Sequence, residues 1–373
     1  MRLIRRSMLL SLVLATASPF SLAAQRQPSL PRDKDPNDWD AYYSAGVEYL
    51  GKRNDRAEEL FAYASHLRPD RAEPLYGLWL AFWAHDIGLF ERYLRDDERV
   101  LKDPKVIAAE SLRVRAFRRN PFVHQGLIVV LYDQLPGRWQ NDPVTRGWLS
   151  LGAAHFNDAT ERFGRAIDSD PDRYGWLRFV RASAFVNAGR LDSAAADLSA
   201  YLAQLRSEEA KSLGNGYESK EVLEYALGLL HLQARRTTAA REAFGRATVE
   251  NAAYAPAHAM LGELAMSRND TATALMEYGL ATETEPNDVE LAIGFGKALR
   301  QAKHLAEAIA QFQKAVRLEP LYAEPYYLLA PALAESGDKA GAAAAYTQFL
   351  ARSPESDLRR GAVQLTLQSL PAR

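Results

Sequence analysis

The chain has no cysteine among its 373 residues, which excludes disulfides, thiolate metal sites, a cysteine nucleophile and thioester lipid anchors. It also lacks a charge of one sign. Lys and Arg number 46 against 47 Asp and Glu, and this balance removes the electrostatic case for a nucleic-acid partner. Long apolar runs are missing: the candidate Met8–Ala17 is about half the ~20 residues a membrane span needs. The short motifs of common chemistries are absent as well. There is no HExxH, no GxxxxGK[ST] phosphate loop and no GxSxG elbow. None of the seven His (His66, His85, His124, His155, His231, His258, His304) pairs with another at i, i+4, so no zinc site sits on one helix. Gly294-Phe295-Gly296 begins like a dinucleotide fingerprint, but it falls inside a helical pattern and is expected to serve packing. The carboxylate pairs Asp96-Asp97 and Glu208-Glu209 lie in charged segments that predict solvated faces. No catalytic residue, cofactor or metal is expected.

At 47% hydrophobic and 25% charged, the composition is that of a folded globular protein of two or three domains, or of one extended repeat array. Arg2, Arg5 and Arg6 followed by the short apolar stretch and by Ser21-Leu22-Ala23 read as a cleavable export signal over 1–23, an uncleaved anchor being the alternative. Its removal leaves 43 basic against 47 acidic side chains, with no later segment able to cross a bilayer. The expected location is therefore periplasmic or envelope-associated, through a Sec-type signal. Residues 24–38, rich in Pro and Asp, read as a flexible lead-in.

From Trp39 onward the pattern is helical and it repeats. Leu227-Gly228, Ala240, Phe244 and Ala247 recur 34 residues later as Leu261-Gly262, Ala274, Tyr278 and Ala281, closed by Pro286. The next copies are Phe295-Gly296, Ala308, Phe312, Ala315 and Pro320, then Leu329-Ala330, Ala342, Tyr346, Phe349 and Pro354. Small residues let two helices of a pair approach, aromatics fill the space between successive pairs, and Pro closes each unit. Asn269-Asp270 and Gly337-Asp338 supply turn chemistry between the helices. Weaker copies lie near 38–71, 142–171 and 175–208, the last followed by an inserted loop or helix extension over Ser207–Lys220.

Over 72–140 the small positions disappear. Here 104–119 and 122–135 predict a divergent helical pair, with Leu127–Tyr132 open to a strand instead. All six Trp (39, 79, 83, 139, 148, 176) fall in the first half. Trp79, Phe82 and Trp83 share a helix face, which suits either an irregular core or an aromatic anchor site. Arg113, Arg115, Arg118 and Arg119 spread over more than one helix face and predict a solvated surface, or contact with an acidic partner or lipid headgroups. An amphipathic segment over 355–370 predicts a capping helix.

The period and the order of small and large residues resemble the tetratricopeptide repeat. The resemblance implies an all-α, right-handed superhelical solenoid of helix-turn-helix units with a C-terminal capping helix. The divisions are an irregular region over 39–140, divergent repeats over 141–220, four regular repeats over 221–356 and the cap over 357–373. It also implies a non-catalytic scaffold that binds a partner's peptide or helix in a concave groove lined by the first helix of each pair. Carried over unit by unit, the groove positions include Trp176, Phe179, Tyr225, Leu229, Leu232, Glu263, Ile293, Lys297, Arg300 and Tyr327. With only Lys297 basic where the family's carboxylate clamp places its cations, an apolar stripe is expected in place of a clamp. The alternatives are that these side chains pack against the array's own neighbours, and that the aromatic-rich first half is an enzyme or holds a small ligand. Pro331 is expected to distort the last first helix.

Overall fold

The computed structural model describes residues 27–95, 97–123, 126–211 and 219–369. The expected signal over 1–23, Asp96, His124 and the centre of the insertion after Ser207 lie outside the described residues.

The described chain is all-α, a solenoid-class fold without a β-strand among its described residues. The first helices are α1 (Trp39–Tyr49), α2 (Asn54–Leu67), α3 (Glu73–Ala84), α4 (Ile87–Leu94), α5 (Glu98–Leu101) and α6 (Pro104–Arg119). Then come α7 (Val129–Tyr132), α8 (Gly137–Gln140), α9 (Pro143–Gly152), α10 (Phe156–Ser169), α11 (Pro171–Tyr174), α12 (Leu177–Asn187) and α13 (Leu191–Lys211). The regular repeats pair α14 (Lys220–Gln233) with α15 (Thr237–Glu250), α16 (Ala255–Ser267) with α17 (Thr271–Thr284), and α18 (Val289–Gln301) with α19 (Leu305–Leu318). The last pair is α20 (Glu324–Glu335) with α21 (Lys339–Arg352), followed by the cap α22 (Arg359–Ser369). Helix α20 runs through Pro331 as one helix.

The sequence pattern has a direct steric meaning. A Cβ at Gly296 would sit 2.6 Å from Phe312, and one at Gly262 would sit 2.8 Å from Tyr278. The ring of each second helix thus lies where a side chain on the first helix would be. Gly294 takes the opposite edge of Tyr278, so one ring is clasped by its own repeat and by the next. Ala240, Ala274, Ala308 and Ala342 are fully buried at the matching positions of the second helices.

The inter-helix turns also follow the 34-residue spacing. Arg235, Asn269, Lys303 and Gly337 all have left-handed backbone, with φ of 58°, 59°, 67° and 95°. Asn and Gly tolerate this conformation, whereas Arg235 and Lys303 adopt it against the steric preference of their Cβ.

Two compact units emerge. The first comprises 43–62 and 71–250, and the second 27–42, 63–70 and 251–369. In the first unit the irregular region departs from the expected pairing. Helix α6 packs on α3, with α4 and α5 between them in sequence, and not on 122–135. That stretch is a 3₁₀ turn over Gly126–Ile128 and the single turn α7. Ile128-Val129-Val130 have low helix propensity, and Ile128, Leu131, Tyr132 and Leu135 are all drawn into the core. Trp79 and Trp83 are core residues too, at 4% and 0% exposed.

In the second unit the N-terminal segment is anchored on the C-terminal repeats. Asn37 Nδ2 donates to the Ala351 carbonyl at 3.1 Å, and Asp35 Oδ2 accepts from the Glu355 amide at 2.5 Å. His66 Nδ1 lies 2.9 Å from Glu319. The Pro- and Asp-rich lead-in is therefore held by specific bonds over this stretch. In the cap, Val363 is buried while Leu358 and Leu365 face solvent.

Candidate functional site

The expected groove positions divide into three groups. Phe179, Tyr225 and Ile293 are core residues, 3%, 5% and 2% exposed, so they offer no surface to a partner. Trp176, Leu229, Leu232, Arg300 and Tyr327 are half-buried, and Glu263 and Lys297 are exposed.

In the first unit the reason is visible. The chain's own segment 117–122 is seated on the first helices α12 and α14. Phe117 meets Phe179 edge-to-face at 6.0 Å, and Phe122 joins the core cluster of Phe179, Ala182, Leu227 and Leu230. The Tyr225 hydroxyl donates to the Arg118 carbonyl at 3.0 Å, and Asn187 Nδ2 reaches the Phe122 carbonyl at 3.5 Å. Backbone carbonyls and two phenylalanines of the irregular region thus fill positions that the family resemblance assigns to a foreign peptide.

In the second unit the exposed positions are polar. Glu263 and Lys297 stand one repeat apart on α16 and α18. Arg300 Nε donates to Glu335 of the next repeat at 2.9 Å, and this pair lowers the Glu335 pKa. Tyr327 lies under the Arg359 guanidinium at 4.5 Å, which itself pairs with Glu324 at 2.5 Å. The cap region therefore covers the last groove position.

A second feature was not resolved by the sequence pattern. Trp176 and Phe179 meet Trp79, Tyr93, Arg113 and Trp148 around a cavity of about 100 Å³ in the first unit. Arg113 on its wall is held in an ion pair with Glu110 behind it. Arg113 Nε and Nη2 donate to Glu110 Oε2 at 2.9 and 2.7 Å, and Trp79 Nε1 donates to Glu110 Oε1 at 2.7 Å. Glu110 is 3% exposed. The guanidinium also lies 5.8 and 5.2 Å from the Trp79 and Phe117 ring centroids, within cation–π range. Burial would lower the Arg113 pKa, but the neighbouring Glu110 carboxylate outweighs it and holds the group charged. Burial pushes the Tyr93 phenol well up, so it stays neutral. Arg113, expected on a solvated surface, is thus inside. The i, i+3 placement of Glu110 and Arg113 was the available signal, since such a pair on a face that also carries apolar residues can be buried as a unit.

Among the described residues, no three His, Asp or Glu gather as a metal site, and no helix is long and apolar enough to cross a membrane.

Comparisons with known proteins match three segments of the chain to repeat families. Residues 144–209 and 225–288 match one tetratricopeptide-repeat model, and 296–337 match a second TPR-repeat model. No curated protein matches the chain. Among solved structures it is similar to YrrB, a TPR protein with an unusual peptide-binding site, at 21% identity and TM-score 0.44, over 57% of this chain and all of that one. It is also similar to the Cut9-Hcn1 hetero-tetramer of the APC/C, at 15% identity and TM-score 0.49, over 88% of this chain and 62% of that one. A third is MamA from Desulfovibrio magneticus RS-1, at 18% identity and TM-score 0.39, over 47% and 93%. Over the three segments matched by the family models, the chain carries tetratricopeptide repeats.

Proposed function

We propose that this protein is an exported, non-catalytic scaffold in which the first-helix face of the second unit receives a peptide or helix of another envelope protein. The fold itself is a protein-binding scaffold fold. One observation carries the finer assignment: the first-helix face is filled by the chain's own residues 117–122 in the first unit, whereas in the second unit Glu263 and Lys297 are exposed on it. Half-buried Ala259 and Met266 flank Glu263, so the accessible face mixes charge with small apolar patches. Such a surface suits an amphipathic segment with charges of both signs, and complementary pairs would fix its register. A stacked array offers that surface without an ordering cost of its own. Export rests on the Arg-rich start, the short apolar run and the Ser-Leu-Ala end of 1–23.

The test is capture of partners from the native envelope by the tagged mature protein and by a Glu263→Lys, Lys297→Glu double variant. Proteins held by the parent and lost by the variant, with unchanged helicity and melting, are expected. An identical set retained by both would overturn the assignment of this face.

A further inference from the structure

The cap helix α22 is apolar on two opposite sides. At about 3.6 residues per turn, Val363 and Leu367 fall on one side, which packs on Tyr326 and Phe349 of the last repeat. Leu358, just before the helix, and Gly361, Ala362 and Leu365 fall on the other side, and all four are exposed. Leu358 is 97% and Leu365 68% exposed. A Cβ at Gly361 would meet nothing within 4 Å, so the middle of this face is open. A helix that is apolar on both sides is suited to being covered on both. The neighbouring cations are already engaged: Arg359 pairs with Asp357 and Glu324, and Arg360 donates to the carbonyls of Leu350 and Ser353. Two leucines fall far short of the roughly 800 Å² per partner that a stable association of separate molecules uses. A lipid surface, in turn, is held by free cations beside the apolar face. A small apolar face can nevertheless hold an occupant tethered next to it, because the tether supplies a high effective concentration. The chain itself provides one. Asp35 and Asn37 bond to Glu355 and Ala351, which pins the N-terminal segment just before Leu358. Gln27 Nε2 donates to the Tyr42 hydroxyl at 2.9 Å and to the Pro36 carbonyl at 3.4 Å, so the start of the described chain lies back on the same place. Upstream is the apolar run Met8–Ala17 (MLLSLVLATA). The stretch from Leu14 to Gln27 reaches up to about 45 Å when extended, whereas the face from Leu358 to Leu365 is only about 10 Å long.

We propose that, in the chain that still carries residues 1–23, the apolar run Met8–Ala17 docks on the Leu358–Leu365 face of α22, and that removal of 1–23 uncovers this face. The inference rests on the reading of 1–23 as a cleavable export signal and is separate from the Glu263 and Lys297 face. It makes the outer side of the cap a maturation-dependent surface, covered before cleavage and open to an apolar contact after it. The tether accounts for how so small a face holds its occupant, and cleavage ends the contact by cutting the tether.

The test exploits the absence of cysteine, since a disulfide can then form only between introduced residues. The full chain is prepared with Ala23→Asp, which removes the small residue at the cleavage position. It carries Leu12→Cys together with either Leu365→Cys or Met276→Cys. Met276 on α17 is also apolar and 56% exposed, so it reports chance encounter. Under mild oxidation of dilute protein, the pair at 12 and 365 is expected to close within one chain about tenfold faster than the pair at 12 and 276. Leu358→Ser, at a fully exposed position that folding does not depend on, should slow the faster pair by about tenfold. Equal rates for the two pairs would overturn the proposal, as would a rate at 12 and 365 that Leu358→Ser leaves unchanged. A disulfide joining the Leu365→Cys positions of two chains faster than the intrachain bond would assign the face to a second copy and equally refute it. Equal rates combined with phosphatidylcholine-vesicle binding that Leu358→Ser abolishes would assign the face to lipid, again against the proposal. Failure of the export reading is distinguished by the mass of the unsubstituted protein recovered from the envelope. Retention of 1–23 there would refute cleavage and with it the uncovering of the face, whereas the disulfide rates alone decide the docking.

Discussion

Alanine is a better helix former than glycine, so replacing a mid-helix glycine ordinarily stabilises by roughly 1 kcal/mol. Gly296 and Gly279 both lie inside helices of consecutive repeats, and the structure predicts opposite outcomes for the same substitution. At Gly279 a Cβ meets nothing within 4 Å, so Gly279→Ala should gain up to about 1 kcal/mol. At Gly296 the new methyl would lie 2.6 to 3.0 Å from three atoms of the Phe312 ring. That ring is fully buried and packed with Leu299, Ala308, Leu329 and Ala330, so it has nowhere to retreat. Overpacking of this kind costs about 1–3 kcal/mol, which offsets the propensity gain and leaves Gly296→Ala destabilising by roughly 0–2 kcal/mol. The gap between the two variants is therefore about 1–3 kcal/mol, readable from urea unfolding followed by circular dichroism. Because repeat arrays can open locally, hydrogen exchange within α18 should accompany the global measurement. In a Phe312→Leu background the penalty at Gly296 should disappear, giving a coupling energy between the two positions. Equal shifts at Gly279 and Gly296, or a stabilised Gly296→Ala, would refute the steric account of the repeat.

Two further outcomes can be measured. Lys303 sits in left-handed backbone where the next repeat places Gly337, and Lys303→Gly should relieve strain and stabilise by about 1 kcal/mol in the same urea assay. His258 Nδ1 lies 2.7 Å from Glu277, and its Nε2 lies 3.0 Å from the Ala252 carbonyl. The hydrogen bond to Glu277 raises the imidazole pKa against the opposing effect of burial. A raised folded-state value means that the pair stabilises fully below the unfolded pKa of about 6.5, and loses that contribution as pH rises through the folded value. The urea midpoint should accordingly fall from about pH 5.5 toward pH 9, and Glu277→Gln should flatten that slope while removing about 1–2 kcal/mol at the acidic end. A slope unchanged in Glu277→Gln would show that another group sets it.

The regular repeats were legible because one steric rule acts at fixed spacing. Gly262, Tyr278 and Gly294 name a ring and the two notches that clasp it, and no distant residue is needed to interpret them. The irregular region was not legible for the opposite reason. Helix α6 is amphipathic by itself, but its partner is α3, about 30 residues earlier, and no local period announces that pairing. The same distance effect governs the groove positions. Tyr225 has the right type and place for a ligand contact, yet its hydroxyl is taken by Arg118, a residue 107 positions away. Arg113 was misplaced for a related reason: a charge run looks solvated until Glu110 is seen to neutralise it in the interior. Lys303 and Arg235 show the limit in the turns, where a left-handed residue is required but the side chain does not advertise it.

The bonds from Asp35 and Asn37 to Glu355 and Ala351 carry a consequence for the order of folding. A purely neighbour-to-neighbour array can zip up from any point, each hairpin docking on the one before it. Here the contacts span 314 and 320 positions, so Asp35 and Asn37 gain these partners only once the last hairpin has formed. Such high sequence separation slows the last step of folding and makes it cooperative with the final hairpin. It also ties the fate of the first segment to the last, so a nonsense truncation that spares most hairpins would still leave Asp35 and Asn37 without these bonds.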